Sequence, residues 1–360
     1  MGVFVYLPLV LPLTALPMAR LAEQHLHPRS ATRLLAAVGT TLALCSTLCL
    51  ALLMVVGTAQ LPGNPLPDGW SDPEVRAAVP YEEKAGLVAI GVLGAVVAAC
   101  GATLVRHART RIRAVRALPP PSAGHTAMLR AELPGNPAPP RHADAVVAGV
   151  VDAASGVAVD GLVDGAPDVA VVASPDPYAY ALPRTRGHGG RVVVSTGMLT
   201  CLDGSERRAL VAHERAHLAG GHHRYLLAVQ LAARANPFLL PLRTAVTYST
   251  ERWADEEAAH AVGSRRTVAT AVGKAALFSN RPAGPDAARA PLPAFAAAGQ
   301  VPRRVAALLS PVPSTGLWPP PSAHLGIAAM LATVGTAASA LSSLNATVML
   351  VRILHAATPL

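Results

Sequence analysis

The chain has 360 residues, of which 52% are hydrophobic, 4% aromatic and 14% charged, against about 25% charged residues in an ordinary soluble domain. That balance excludes collagen-like, disordered and disulfide-rich secreted classes and points to a chain partly dissolved in lipid. The formal net charge of +9 is almost wholly arginine, since Lys84 and Lys274 are the only lysines. Cys45, Cys49, Cys100 and Cys201 have neither disulfide nor metal-ligand spacing.

Residues 1–19 are apolar apart from prolines and small polar side chains, with no basic residue before them. A signal peptide wants a positive start, so this segment is read as a first transmembrane helix with its N-terminus outside; cleavage near Ala19 is the alternative. Residues 34–59 and 85–105 each exceed the roughly 20 apolar residues that cross about 30 Å of hydrocarbon. Residues 325–351 form a fourth span, followed by a short tail at 352–360. Asn345-Ala-Thr347 spells a glycosylation sequon inside that apolar run and is read as accidental.

The loops orient these spans. Arg20, Arg29 and Arg33 follow the first, and Arg106, Arg109, Arg111, Arg113 and Arg116 follow the third. Asp68, Asp72, Glu74, Glu82 and Glu83 dominate the loop between the second and third. The positive-inside rule puts both arginine-rich loops in the cytoplasm and both termini outside. The arginine cluster is thus a topology and headgroup signal, and no nucleic-acid partner is expected because no aromatic interleaving or known motif accompanies it. Small residues four apart, Gly91 with Ala95 and Gly94 with Ala98, would let helices approach closely; the competing explanation is the abundance of alanine.

Pro-rich residues 119–141 read as a semi-rigid linker, and a folded cytoplasmic domain is expected over 142–322. Residues 168–173, 178–182 and 191–195 are short β-branched or aromatic runs between Pro and Gly, the pattern of a small sheet. Asp203 followed three residues later by Glu206 opens a capped helix over 204–219, and Gly220-Gly221 ends it. That helix carries His213-Glu214-Arg215-Ala216-His217. Four-residue spacing sets His213 and His217 on one face, where both imidazoles can bind one Zn²⁺. Glu214 beside them can serve as the general base that activates water.

A catalytic zinc needs a third protein ligand. Glu251 and Asp255, four apart on the next helix, face the same way: Glu251 can bind the metal while Asp255 accepts the other N–H of a ligand histidine. The bland alternative is an acidic helix face, and Glu256 and Glu257 are read that way. Trp253, between the two carboxylates, is assigned to the core. Residues 225–242 are apolar but hold Arg234, Pro237 and Pro241, and read as two helix pieces against membrane or protein.

Tyr178-Ala179-Tyr180-Ala181, residues 190–199, residues 206–217 and Glu251 to Asp255 together resemble the membrane-embedded gluzincins, which include the HtpX and prenyl-protein (CAAX) proteases and the BlaR/MecR antirepressor-type peptidases. The order of three spans, protease and fourth span is most similar to the BlaR/MecR type. The resemblance implies an α-helical multi-pass membrane protein with an α+β, zincin-like cytoplasmic metallopeptidase domain. It also implies one Zn²⁺ per chain held by His213, His217 and Glu251, with Glu214 as base and Asp255 as orienter. His222 stands where many relatives carry an acidic residue, and Tyr178 where the prenyl branch has Asn. BlaR-like receptors continue into an extracellular penicillin-binding domain; this sequence stops at Leu360, so no direct β-lactam sensing is expected.

His222 and His223 are candidates for holding a transition-state oxyanion, against a solvent-facing or interfacial pair; Arg191 is a candidate substrate contact, and His188 is assigned to a loop. The strand at 191–195 is expected to pair with an extended substrate. The expected function is a zinc-dependent endopeptidase of the bacterial plasma membrane, cutting a protein or peptide substrate at the cytoplasmic face, with a repressor-like protein as the expected partner beside the lipid bilayer. The alternatives are quality control of membrane proteins, and a non-catalytic sensor or scaffold that keeps a metal site. A four-span transporter is disfavoured because no ionisable residue falls within the four spans.

Overall fold

The structure is a computed structural model that describes residues 6–59, 82–117, 169–184, 189–279, 300–312 and 323–357. The linker at 119–141, Asp68, Asp72 and Glu74 of the acidic loop, and His188 lie outside the described residues. Two compact units are present: residues 1–106, 223–250 and 313–360 form the first, and residues 107–222 and 251–312 the second.

In the first unit the opening apolar segment is in three pieces: α1 (Leu7–Val10), a 3-10 turn (Leu11–Thr14) and α2 (Ala15–His25). Proline explains the break. Pro12 has no N–H to offer the carbonyl of Pro8, and the Ser46 hydroxyl supplies that bond instead at 2.8 Å. Asn236 adds an amide N–H to the Leu9 carbonyl and another to Ser46 Oγ at 3.0 Å. In a low-dielectric surrounding such substitutions are required, because an unpaired backbone group costs several kcal/mol.

The second and third expected spans are longer than their apolar cores, as α3 (Pro28–Ala59) and α4 (Glu82–Ala117). Two described helices are long and apolar enough to cross a membrane, over Pro28–Val55 and Ala85–Arg116. The apolar stretch of α3 is half-buried within the protein and that of α4 almost wholly exposed.

Residues 225–242 divide as expected, because Pro237 and Pro241 interrupt the hydrogen-bond ladder. They form most of α7 (His222–Ala235), a 3-10 turn (Pro237–Leu239) and the start of α8 (Leu240–Val262). Val229, Ala232, Leu239 and Leu242 pack against Ala19, Leu35 and Leu42, so these pieces bury against protein. The final helix of this unit spans Ala323–Ala357, over the expected fourth span.

The second unit holds β1 (Val169–Val172), β2 (Ala179–Leu182) and β3 (Arg191–Ser195) in the order β1-β3-β2, with β1 parallel and β2 antiparallel to β3. Side chains alternate across a strand. Val192 and Val194 enter a core with Met198, Leu210, Val272 and Leu308, while Val193 packs on the other face with Tyr180, Leu182 and Ala114 of α4. Burial on both faces explains the unbroken valine run. It also corrects an expectation: β3 is the central strand, flanked on both sides, so it has no open edge for a substrate. Among the described strands the edges belong to β1 and β2.

Ser195 ends β3 and caps α5 (Thr196–Cys201), its Oγ accepting the N–H groups of Met198 and Tyr178 at 3.1 and 2.9 Å. Gly197 is required there, since a methyl group would fall on the Pro175 carbonyl. The next helix, α6 (Gly204–Ala219), starts as its capping box predicts: Asp203 Oδ1 accepts the Glu206 N–H, and Glu206 returns a carboxylate to the Asp203 N–H, each at 2.9 Å. Lys274 reaches Glu206 at 2.7 Å. Gly221, at φ 62°, turns the chain out of α6 in a conformation that favours glycine. Then α9 (Arg265–Ser279) and α10 (Val301–Leu309) complete the unit.

Candidate metal centre

On α6, His213 and His217 stand one turn apart with their Nε2 atoms 3.0 Å from each other. Glu251 of α8 closes a triangle, its Oε2 3.5 Å from His213 Nε2 and its Oε1 3.5 Å from His217 Nε2. Ligand atoms held tetrahedrally at zinc distances of about 2.0–2.2 Å lie about 3.3–3.5 Å apart; both histidine–Glu251 distances match that spacing, and the His213–His217 distance is a few tenths of an ångström shorter. Two imidazoles and one carboxylate are also a donor set suited to that ion. His213 is fully buried, whereas His217 and Glu251 keep 15% and 17% side-chain exposure and form the accessible side of the cluster.

Asp255, one turn after Glu251, lies 3.1 Å from His213 Nδ1. Its own charge is met by Arg304 of α10, which donates from Nε to Oδ2 at 2.9 Å and from Nη2 to Oδ1 at 2.6 Å. The third arm of the guanidinium, Nη1, reaches Glu251 Oε2 at 3.0 Å. One buried arginine thus holds both Glu251 and Asp255, in the fork geometry that only arginine offers. Arg265 fastens the far end of the same short helix, donating to the Ala307 carbonyl and to Glu256. Arg252 also pairs with Glu256 at 2.8 Å. Glu256 is therefore a half-buried ion-pair member, which corrects its reading as a solvated face; Glu257 is exposed and accepts the Trp253 indole N–H.

Glu214 is buried beside the cluster and accepts the backbone N–H of Ala181 in β2. Burial, with the nearby Glu251 charge, pushes its carboxyl up to about 7, against the opposing pull of His213, Arg304 and Ala181. Burial also opposes ionisation of Glu251 and Asp255, but Arg304 and the histidines outweigh it. Glu251 is held down at about 2 and Asp255 well below the usual carboxylate range. Burial lowers His217 to about 4, keeping it neutral as a ligand must be. For His213 burial acts downward, yet the hydrogen bonds to Asp255 and Glu251 raise it to about 9, so metal binding there must release a proton.

The structure therefore brings together His213, Glu214, His217, Glu251 and Asp255. His222 is fully buried, not solvent-facing: its Nδ1 is 2.9 Å from His217 Nδ1 and its ring lies against Trp253, centroids 4.4 Å apart. Trp253 is in the core, as expected. His223 is half-buried in α7, in the other unit, and Arg191 pairs with Leu182 at the start of β3; neither belongs to the cluster. Sequence reasoning does not reach Arg304. The available signal was an arginine between Val301 and Leu308 on the apolar face of a nine-residue helix opened by Pro302, where a charge needs a buried partner.

Residues 152–316 match peptidase family M48. Three HtpX proteases match parts of the same chain. The one from Idiomarina loihiensis is 41% identical over 64 residues, covering 18% of this chain and 22% of its own length. That from Thioalkalivibrio sulfidiphilus is 33% identical over 88 residues, covering 24% and 29%. That from Glaesserella parasuis is 34% identical over 98 residues, covering 27% and 34%. The chain thus spans about a fifth to about a third of the length of these curated relatives. No solved structure gives a significant match. The M48 match contains the whole His213, His217, Glu251 cluster with Glu214, Asp255 and Arg304, and it agrees with the resemblance to membrane-embedded zinc metallopeptidases read from the motifs; the matching relatives are of the HtpX type, whereas the order of spans and protease points to the BlaR/MecR type.

Proposed function

We propose that the chain is a zinc-dependent endopeptidase of the bacterial plasma membrane, with its catalytic unit in the cytoplasm, both termini outside and one Zn²⁺ per chain. The observation that carries this reading is the convergence of His213 Nε2, His217 Nε2 and Glu251 within 4.8 Å, with the carboxylate of Glu214 buried next to it. His213, His217 and Glu251 would hold the ion. A bound zinc supplies Lewis acidity that polarises the scissile carbonyl and makes water nucleophilic near neutral pH.

Glu214, with its carboxyl near 7, is poised to take a proton from the attacking water and pass it to the leaving nitrogen. Arg304 and Asp255 keep Glu251 and His213 in place, so little side-chain ordering is left to the moment of reaction. Substrate is assigned to β2 rather than β3. Tyr178 and the two residues after it at intervals of two face β3, since the Ser195 N–H bonds the Tyr178 carbonyl and Tyr180 and Leu182 oppose Val193 and Arg191. Ala179 and Ala181 therefore turn their backbone groups away from β3, and the Ala181 N–H, which Glu214 accepts, sets the base beside that edge. An extended peptide adding to that edge would run past the base.

Glu214→Gln in the purified full chain tests the reading. About 10²–10⁴-fold loss of cleavage of an unfolded protein substrate is expected, with zinc content unchanged at one per chain; full activity in the metal-loaded variant overturns it. The cellular role is assigned to regulatory cleavage of a cytoplasmic repressor-like protein, on the order of spans and protease. Comparing cleavage products in cells carrying wild type or the Glu214 variant separates this from quality control. One discrete fragment supports regulation, and many membrane-protein fragments support the other use.

A further inference from the structure

The two histidines of the cluster are held from behind by different chemistry. His213 has a carboxylate at its Nδ1, itself neutralised by Arg304. His217 has another imidazole: His222 Nδ1 lies 2.9 Å from His217 Nδ1, with the rings at 87° and their centroids 4.7 Å apart. His217 Nε2 is the atom that faces His213 and Glu251, so as a ligand it must keep its lone pair on Nε2 and its proton on Nδ1. The acceptor that the structure sets at hydrogen-bond distance from that N–H is the Nδ1 lone pair of His222.

The seat of His222 is built for this. Its ring is completely buried and rests on Trp253, which is carried between Glu251 and Asp255 on α8. Gly220 makes room, because a methyl group there would fall on His222 Nε2, and no backbone strain calls for glycine at its φ of −73°.

We propose that His222 is a positioning residue for the metal centre, a neutral imidazole acceptor that fixes the tautomer and ring orientation of His217. The inference rests on the reading of the cluster as a zinc site, and its test reads metal binding rather than turnover. His222→Leu keeps apolar bulk against Trp253 without an acceptor. His222→Asn keeps an acceptor oxygen near the position of Nδ1. Gly220→Ala leaves His222 intact but displaces its ring.

Zinc affinity is measured on the full chain in detergent by competition with a chromophoric chelator, together with the visible spectrum of the Co²⁺-loaded protein and the melting of the metal-free form. His222→Leu and Gly220→Ala are expected to bind zinc about 10–100-fold more weakly and to shift the Co²⁺ bands, whereas His222→Asn stays within about threefold of wild type. Equal affinity in wild type and His222→Leu overturns the proposal, as does an Asn variant as weak as the Leu variant. If the Leu variant does not fold, the Asn variant decides alone: a loss of about tenfold or more overturns the proposal. A wild type that binds zinc but cleaves nothing overturns the peptidase reading and leaves this one intact.

Discussion

The two units bury opposite kinds of group. In the first, the buried polar side chains are small: Thr32, Thr103 and Ser343 each return a hydroxyl to a carbonyl one turn back in their own helix. Large apolar side chains such as Leu44 and Val97 stand more than 60% exposed. In the second, valine, leucine and alanine fill the interior, and among the described residues every buried formal charge lies there: Glu206, Glu214, Arg252, Asp255 and Arg304. A buried ion network is weak evidence for stability, since desolvation offsets most of its attraction. Its confinement to one unit is better explained by chemistry at the cluster. The apolar exterior of the first unit is matched to lipid, where hydroxyls bonded to their own helix carry no unmet polar group into the hydrocarbon.

The sharpest way to break this contrast is Arg304→Met. Removing one partner of a buried pair leaves Glu251 and Asp255 facing each other, and a loss of about 3–5 kcal/mol is expected in metal-free denaturant unfolding of the second unit. A loss below about 1 kcal/mol would make the arginine a bystander. Next is Val97→Arg on the exposed face of α4. If that face meets lipid, insertion should cost about 2.5–3.5 kcal/mol and lower the fraction retained in carbonate-washed membranes. The same change at exposed Val171 in β1 should stay within about 0.5 kcal/mol, and equal effects at both positions would erase the distinction.

A smaller effect is expected from Asn236→Ala, which strips the donors from the Leu9 carbonyl and Ser46. Leaving these groups unmet should cost about 1–3 kcal/mol, read as earlier melting of the first unit by helical circular dichroism with zinc affinity unchanged. Smallest is Asp203→Ala, which removes the cap of α6 and should cost about 1 kcal/mol. Because the cap sits on the helix carrying His213 and His217, metal binding should weaken with it, whereas a change confined to the first unit would contradict the location of the site.

Much of the second unit was legible because its signals are local. The three strands are within one or two residues of their β-branched runs, and α6 begins and ends where Asp203, Glu206 and Gly220-Gly221 put it. The pairs His213 with His217 and Glu251 with Asp255 follow from helix geometry alone. Less was legible where the deciding partner is distant in the chain. The prolines of residues 8–17 show that a helix must be interrupted there, but apolarity and length read as one span; the donors that make the break tolerable come from Ser46 and Asn236. His222 after two glycines reads as a surface histidine until Trp253 is placed under it. β3 reads as an available edge until β1 is paired beside it.

By itself, the sequence determined the lipid-matched composition, the helical and strand periodicities and the residues of the cluster, because each depends on spacing within one element. Tertiary structure alone decided which groups stand behind them. Arg304 lies 49 residues beyond Asp255 and joins it through packing of α10, an association no local propensity encodes. The acceptor behind His217 and the strand edge beside Glu214 were decided in the same way. A buried charge or N–H takes whichever partner the fold brings within about 3 Å, and that partner is known only when distant elements have been brought together.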